Sequence, residues 1–138
     1  PSEGLVELLR TLKRGGAVLY APDQRYDGPG YVRVPFFGVP ALANPGITTL
    51  ARATGCTVLF YFPRRLPDGS GFRMQVLAAP PYFPSTDPAA DVARYHRLIE
   101  DQVRAAPAQY LWSYKRFRPL AGEPDPYRGG GLRGSPGA

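Results

Sequence analysis

The sequence holds one cysteine, Cys56, and one histidine, His96. A single thiol excludes an internal disulfide framework and any metal site built from several thiolates. A single imidazole excludes a multi-histidine metal centre. No run of about 18 apolar residues occurs, so no segment reads as a bilayer-spanning helix. No charged-then-apolar leader opens the chain. The first residue is Pro1 rather than Met, so a processed chain or a piece of a longer one is expected. Lysine is also scarce: only Lys13 and Lys115 among 17 Lys+Arg. The rest are arginines, whose planar forks match carboxylate or phosphate. Neither a Gly-x-Ser-x-Gly elbow nor a Walker A loop is present, which removes the sequence basis for a hydrolase nucleophile or a phosphate-cradling loop.

What is there fits one domain of 138 residues. Hydrophobic residues make up 43%, enough for a core and against wholesale disorder. Gly 16 and Pro 17 exclude long uninterrupted helices over much of the chain. Formal net charge is +6, which favours acidic partners.

Residues 5–14 predict an amphipathic helix, with Leu5, Val6, Leu8, Leu9 and Leu12 on one side, Ser2 as cap and Gly15-Gly16 as stop. Residues 17–21, bounded by glycines and Pro22, read as a buried strand ending at the polar cluster Asp23-Gln24-Arg25. Residues 26–38 read as a loop with a short edge piece, because Pro35 cannot donate to a central ladder. Asn44 and Pro45 open a second helix over 45–54, closed by Gly55. Residues 56–62 predict another buried strand, and Asp68-Gly69 a hairpin turn into an antiparallel strand over 72–77. Residues 89–106 are the strongest helix, with Val92, Tyr95, Leu98, Ile99 and Val103 at i, i+3/i+4 spacing and Ser85 or Asp87 as cap. A short aromatic-basic segment, 110–118, follows. Residues 119–138 read as a Pro/Gly-rich tail, disordered or draped on the surface. The fold class is α/β, a small mixed sheet with flanking helices.

Few residues present themselves for chemistry. Asp23 closes an expected buried strand, where a carboxylate is costly without a partner. Ligands in open α/β sheets bind beyond the carboxyl ends of strands. Asp23 therefore reads either as a loop-capping aspartate or as a carboxylate orienting a base or a substrate hydroxyl, with Gln24 and Arg25 beside it. Arg64 and Arg65 stand at another strand exit, either as a solvated pair or as a phosphate clamp. Trp112, Lys115, Arg116 and Arg118 mix an aromatic with cations, which suits a membrane interface or nucleic acid. His96 and Asp101 match a His-x-x-x-x-Asp spacing, but residues i and i+5 on a helix are not neighbours. His96 therefore reads as a solvated histidine pairing weakly with Glu100, and Cys56 as a packed small hydrophobe.

Several blocks occur in order: Tyr20-Ala21-Pro22-Asp23-Gln24, Val34-Pro35-Phe36-Phe37-Gly38-Val39-Pro40, Leu50-Ala51-Arg52-Ala53-Thr54-Gly55, then Pro63-Arg64-Arg65. Pro107-Ala108-Gln109-Tyr110-Leu111-Trp112 and Lys115-Arg116-Phe117 complete the set. Over residues 5–118 they resemble the carboxyl-terminal half of the lipid A biosynthesis acyltransferases. The resemblance implies the second half of a glycerolipid-acyltransferase-like α/β domain at the cytoplasmic face of the bacterial inner membrane. It implies acyl carrier protein as donor, a lipid A precursor as acceptor and no cofactor or metal. It also implies a histidine base upstream of these residues, with Asp23 as a supporting carboxylate and Gln24, Arg25, Arg64 and Arg65 as substrate contacts. Trp112, Lys115, Arg116 and Arg118 are then membrane or anion contacts. The other readings are a stand-alone basic lipid- or carrier-protein-binding module and, a weaker fit, a nucleic-acid binder.

Overall fold

Glycines and prolines divide the chain into short elements, which a computed structural model describes over residues 3–128. Helix α1 (Glu3–Lys13) ends where the Gly15 and Gly16 N–H groups return to the Leu12 and Thr11 carbonyls. Its expected Ser2 cap lies outside the described residues. Strands β1 (Val32–Phe36) and β2 (Val39–Ala43) form an antiparallel hairpin. Helix α2 (Gly46–Thr54) follows and ends at left-handed Gly55. A second hairpin joins β3 (Leu59–Arg65) to β4 (Phe72–Ala78). Helix α3 (Pro88–Ala105) and a 3-10 turn at Pro107–Gln109 complete the order.

The class is α/β, and its strands pair as two separate two-stranded antiparallel sheets. The β1–β2 hairpin is not legible in the sequence, because Pro35 and Pro40 interrupt its pattern. The two prolines face each other in the register, so neither deprives a non-proline partner opposite. Phe37 and Gly38 form the turn with φ of 50° and 75°, the left-handed pair that a two-residue hairpin needs. The non-glycine member is held: the Phe37 N–H donates to Glu100 Oε1 at 2.7 Å.

Two expected strands need correction. Residues 17–21 are irregular and form no ladder, and their backbone makes no backbone–backbone hydrogen bond among the described residues. Leu19 is 76% exposed there. An apolar run becomes a strand only where a partner edge lies alongside, and among the described residues none does. The strand expected over 56–62 begins three residues later and runs through Pro63. It is buried on one face only, with Leu59 and Tyr61 exposed.

Val34 and Phe36 of β1 and Ala41 and Ala43 of β2 bury one face of the first hairpin under α3. Helix α3 contributes Val92, Tyr95, Ile99 and Val103, and β3 contributes Phe60. Each fully buried large apolar side chain supplies roughly 1.5–3 kcal/mol. Asp87 caps α3, accepting from the Ala89 and Ala90 N–H groups. Beyond α3, residues 119–128 lie against the body. Arg33 pairs with Glu123 at 2.7 Å, and the Phe117 N–H donates to the Tyr127 hydroxyl. The remainder of the expected tail, 129–138, lies outside the described residues.

Candidate functional site

A groove of about 800 Å³ opens between residues 17–23, the 56–64 run and α3. Its walls are mostly apolar: Leu12, Leu19, Leu50, Val58, Phe60, Ile99 and Val103. Its polar residues are few and include Asp23, Arg64, Gln102 and Gln109, with the Tyr110 ring beside them. This arrangement follows from the missing ladder. Because residues 17–21 have no strand neighbour, the space between them and β3 stays open.

Asp23 is half-buried at this groove and enters none of the ion pairs among the described residues. Arg25, two residues on, turns elsewhere. It pairs with Asp27 at 2.9 Å and donates to the carbonyls of Arg118 and Pro119. Its backbone N–H donates to the Tyr114 hydroxyl. Arg25 therefore anchors the last described segment, a structural duty that leaves little of its fork for a substrate. Gln24 is exposed. Burial, and then the negative charge of Asp23, push the Tyr110 phenol above its ordinary pKa. Asp23 also acts on Arg116, partly offsetting the effect of burial on that guanidinium.

Arg116 corrects the membrane-contact expectation. It is 2% exposed. Its Nη1 donates to the Leu42 carbonyl at 2.8 Å and its Nη2 to His96 Nε2 at 2.9 Å. Its Nε is buried without a partner. A guanidinium can be buried where fixed acceptors replace water, and here a carbonyl and an imidazole do so. Trp112, Lys115 and Arg118 of the same segment remain exposed. Trp112 donates its indole N–H to the Pro107 carbonyl, and Lys115 lies over the Tyr127 ring.

His96 corrects a second expectation. It is 0% exposed, not solvated. Its Nδ1–H donates to the Pro35 carbonyl at 3.3 Å while Nε2 accepts from Arg116. That pattern defines a neutral ring. Burial, and then the adjacent Arg116 charge, push its pKa down to about 4. Glu100 pairs with Arg104 at 2.9 Å instead of with His96. With both nitrogens engaged inside the core, His96 cannot serve as a base at the groove.

The two strand-exit arginines separate. Successive side chains on a strand point to opposite faces. Arg65 lies over the Phe72 ring on one face, and Arg64 faces α3, its Nη2 3.4 Å from Gln102 Oε1. The Arg65 backbone is held at both its N–H and its carbonyl by the Gln109 amide. Sequence reading missed Gln102, Gln109 and Tyr110 as groove residues. Helical spacing put Gln102 beside the buried stripe without showing what that stripe would face. Among the described residues, no group of three His, Cys, Asp or Glu side chains could hold a metal ion. No helix among them is long and apolar enough to cross a membrane.

Fold and site together define a basic α/β module with an apolar groove and a carboxylate at its edge. The chain belongs to the bacterial lipid A biosynthesis acyltransferase family, which matches residues 1–119. It is 35% identical over 113 residues to a lipid A biosynthesis lauroyltransferase of Escherichia coli, covering 80% of this chain and 37% of that protein. It is 36% identical over 112 residues to the palmitoleoyltransferase of the same organism, covering 80% and 36%. An acyltransferase of Haemophilus influenzae is 27% identical over 121 residues, covering 86% and 39%. The chain thus spans less than two-fifths of the length of these curated relatives.

Proposed function

We propose that this chain supplies part of the machinery that moves a fatty acyl group from acyl carrier protein to a hydroxyl of a lipid A precursor. The observation that carries this reading is Asp23. It is a half-buried carboxylate outside any described ion pair, at the edge of an apolar groove, within the family match. In the transfer, the hydroxyl oxygen attacks the thioester carbonyl and loses its proton to a base. The carrier thiol then leaves and takes up a proton. Asp23 is the supporting carboxylate, orienting the base or the attacking hydroxyl. The base comes from outside this chain, because the chain's one histidine is sequestered with Arg116. The groove walls suit an acyl chain. Exposed Leu111, Trp112, Lys115 and Arg118 suit contact with an anionic interface. The reading places the protein at the cytoplasmic face of the inner membrane.

The sequestered histidine also favours a second reading, a basic module that binds lipid or carrier protein without turnover. One assay separates the two. The protein, purified from its source at its native length, is given lauroyl- or palmitoleoyl-loaded carrier protein and a lipid A precursor. Acylation is followed by mass spectrometry. Under the first reading it turns over, and Asp23→Asn lowers kcat by about 100-fold or more, the scale of a lost proton-transfer element, with the unfolding midpoint unchanged. Turnover unaffected by Asp23→Asn refutes the role of Asp23. Binding without turnover in the unsubstituted protein establishes the second reading.

A further inference from the structure

The β3–β4 register brings Arg64 directly opposite Arg73. Directly opposed residues share a face, with Cβ atoms about 4.5–5.5 Å apart, and like charges so placed destabilise a hairpin. Arg10, Arg25, Arg33, Arg94, Arg104 and Arg128 each meet a carboxylate. Arg64 and Arg73 meet none among the described residues. Among those residues Arg14, Arg52, Arg65, Arg97, Arg116 and Arg118 also meet no carboxylate, so what sets Arg64 and Arg73 apart is that they oppose each other directly. Among the described residues, the one polar side chain in contact with Arg64 is neutral Gln102, at a long 3.4 Å, and none reaches Arg73. No other ladder position among the described residues opposes two cations.

The pair is also held in place. Gln109 closes both backbone groups of Arg65, and the Asp68–Ser70 turn fixes the hairpin tip, where the Leu66 N–H donates to the Gly71 carbonyl. Arg64 lines the apolar groove, so an anion bridging the two guanidiniums would sit at its rim with apolar space behind it. We infer that Arg64, Arg73 and Gln102 form a binding site for the phosphate monoester headgroup of an amphiphile whose hydrocarbon chain enters the groove. A monoester carries between one and two negative charges near neutral pH, which matches two forks with no carboxylate beside them. A phosphodiester carries one. The inference deepens the acyl-transfer reading and rests on it only for the identity of the natural amphiphile.

The test is co-sedimentation of the full chain with phosphatidylcholine vesicles. These contain either phosphatidic acid, a monoester, or phosphatidylglycerol, a diester, adjusted to equal surface charge. Turnover plays no part, so failure here is distinct from failure of the role of Asp23. The unsubstituted chain should prefer phosphatidic acid. Arg73→Gln, at an exposed position, should weaken binding to it by about tenfold, the low end for a charge-assisted contact, and abolish the preference. Arg73→Lys keeps the charge but loses the fork, so it too should lose the preference. Arg64→Gln combined with Arg73→Gln should cost less than the sum of the single changes, since both grip one group. Arg97→Gln, an equal charge loss on the exposed side of α3, should lower binding to both lipids alike. If Arg73→Gln behaves like Arg97→Gln, or the two arginine changes add fully, the site is refuted. If glycerol 3-phosphate competes as strongly as phosphatidic acid vesicles, the groove contributes nothing and the amphiphile assignment is overturned.

Discussion

Acidification should destabilise this fold in a pH range above that of most carboxylates, and the cause is one imidazole. His96 is buried between the Pro35 carbonyl, the Arg116 guanidinium and the rings of Phe36 and Tyr95. Burial first, and Arg116 second, hold its pKa at about 4, against 6.5 for an ordinary histidine. The Pro35 hydrogen bond and the Glu100 charge oppose the shift without cancelling it. The folded state therefore binds fewer protons than the unfolded state between pH 6.5 and 4. Stability is full above the unfolded value and is lost as pH falls through this window. At 1.36 kcal/mol per unit, the loss is about 2 kcal/mol by pH 5 and about 3 kcal/mol by pH 4. For a domain with roughly 5–15 kcal/mol in total, that is a large share. Asp68 and Glu123, whose carboxyl pKa values are lowered, add to the loss only as pH falls below their ordinary values. The upper half of the window therefore isolates His96. Urea unfolding followed by circular dichroism at pH 7, 6 and 5 reads the loss directly. His96→Gln retains an acceptor for Arg116 but has no proton to gain, so its stability should be nearly flat over that range. An equal slope in both proteins would refute the reasoning.

Arg116→Leu should destabilise the chain by about 2–4 kcal/mol, because the Leu42 carbonyl and His96 Nε2 are then buried without a donor. The same change removes a charge that depresses the His96 pKa, so the pH dependence should shrink; urea unfolding at pH 7 and 5 checks both. Gly38→Ala places a side chain at φ 75° and should cost about 1–2 kcal/mol of stability with no change in lipid binding, measured by thermal unfolding and vesicle co-sedimentation.

Local chemistry made much of the architecture legible in the sequence. Gly15-Gly16, Gly55, Asp68-Gly69 and Asp87 mark element ends through backbone conformations and hydrogen bonds that involve only neighbouring residues. The α3 stripe Val92, Tyr95, Ile99 and Val103 follows from helical period alone. The ordered blocks from Tyr20 to Phe117 carried the family, because matched residues in order need no coordinates. The placement of Asp23 beyond an apolar run located one edge of the groove even though that run forms no strand.

Tertiary structure decided whatever depends on a partner distant in the chain. Residues 17–21 have the composition of a buried strand, but a ladder requires a second edge, and its absence leaves a groove. Arg116 looked like a surface cation among aromatics. Only the fold brings Leu42 and His96, 74 and 20 residues away, to satisfy it in the core. His96 looked solvated because its helix is rich in charge, yet helix rotation turns it inward beside Tyr95. Arg64 and Arg65 looked like a clamp because they are adjacent. The pleat sends them to opposite faces, and the hairpin register gives Arg64 a different neighbour, Arg73. Sequence determines what each residue can do with its immediate neighbours; burial and long-range pairing, which set the electrostatics of this site, arise only when the elements meet.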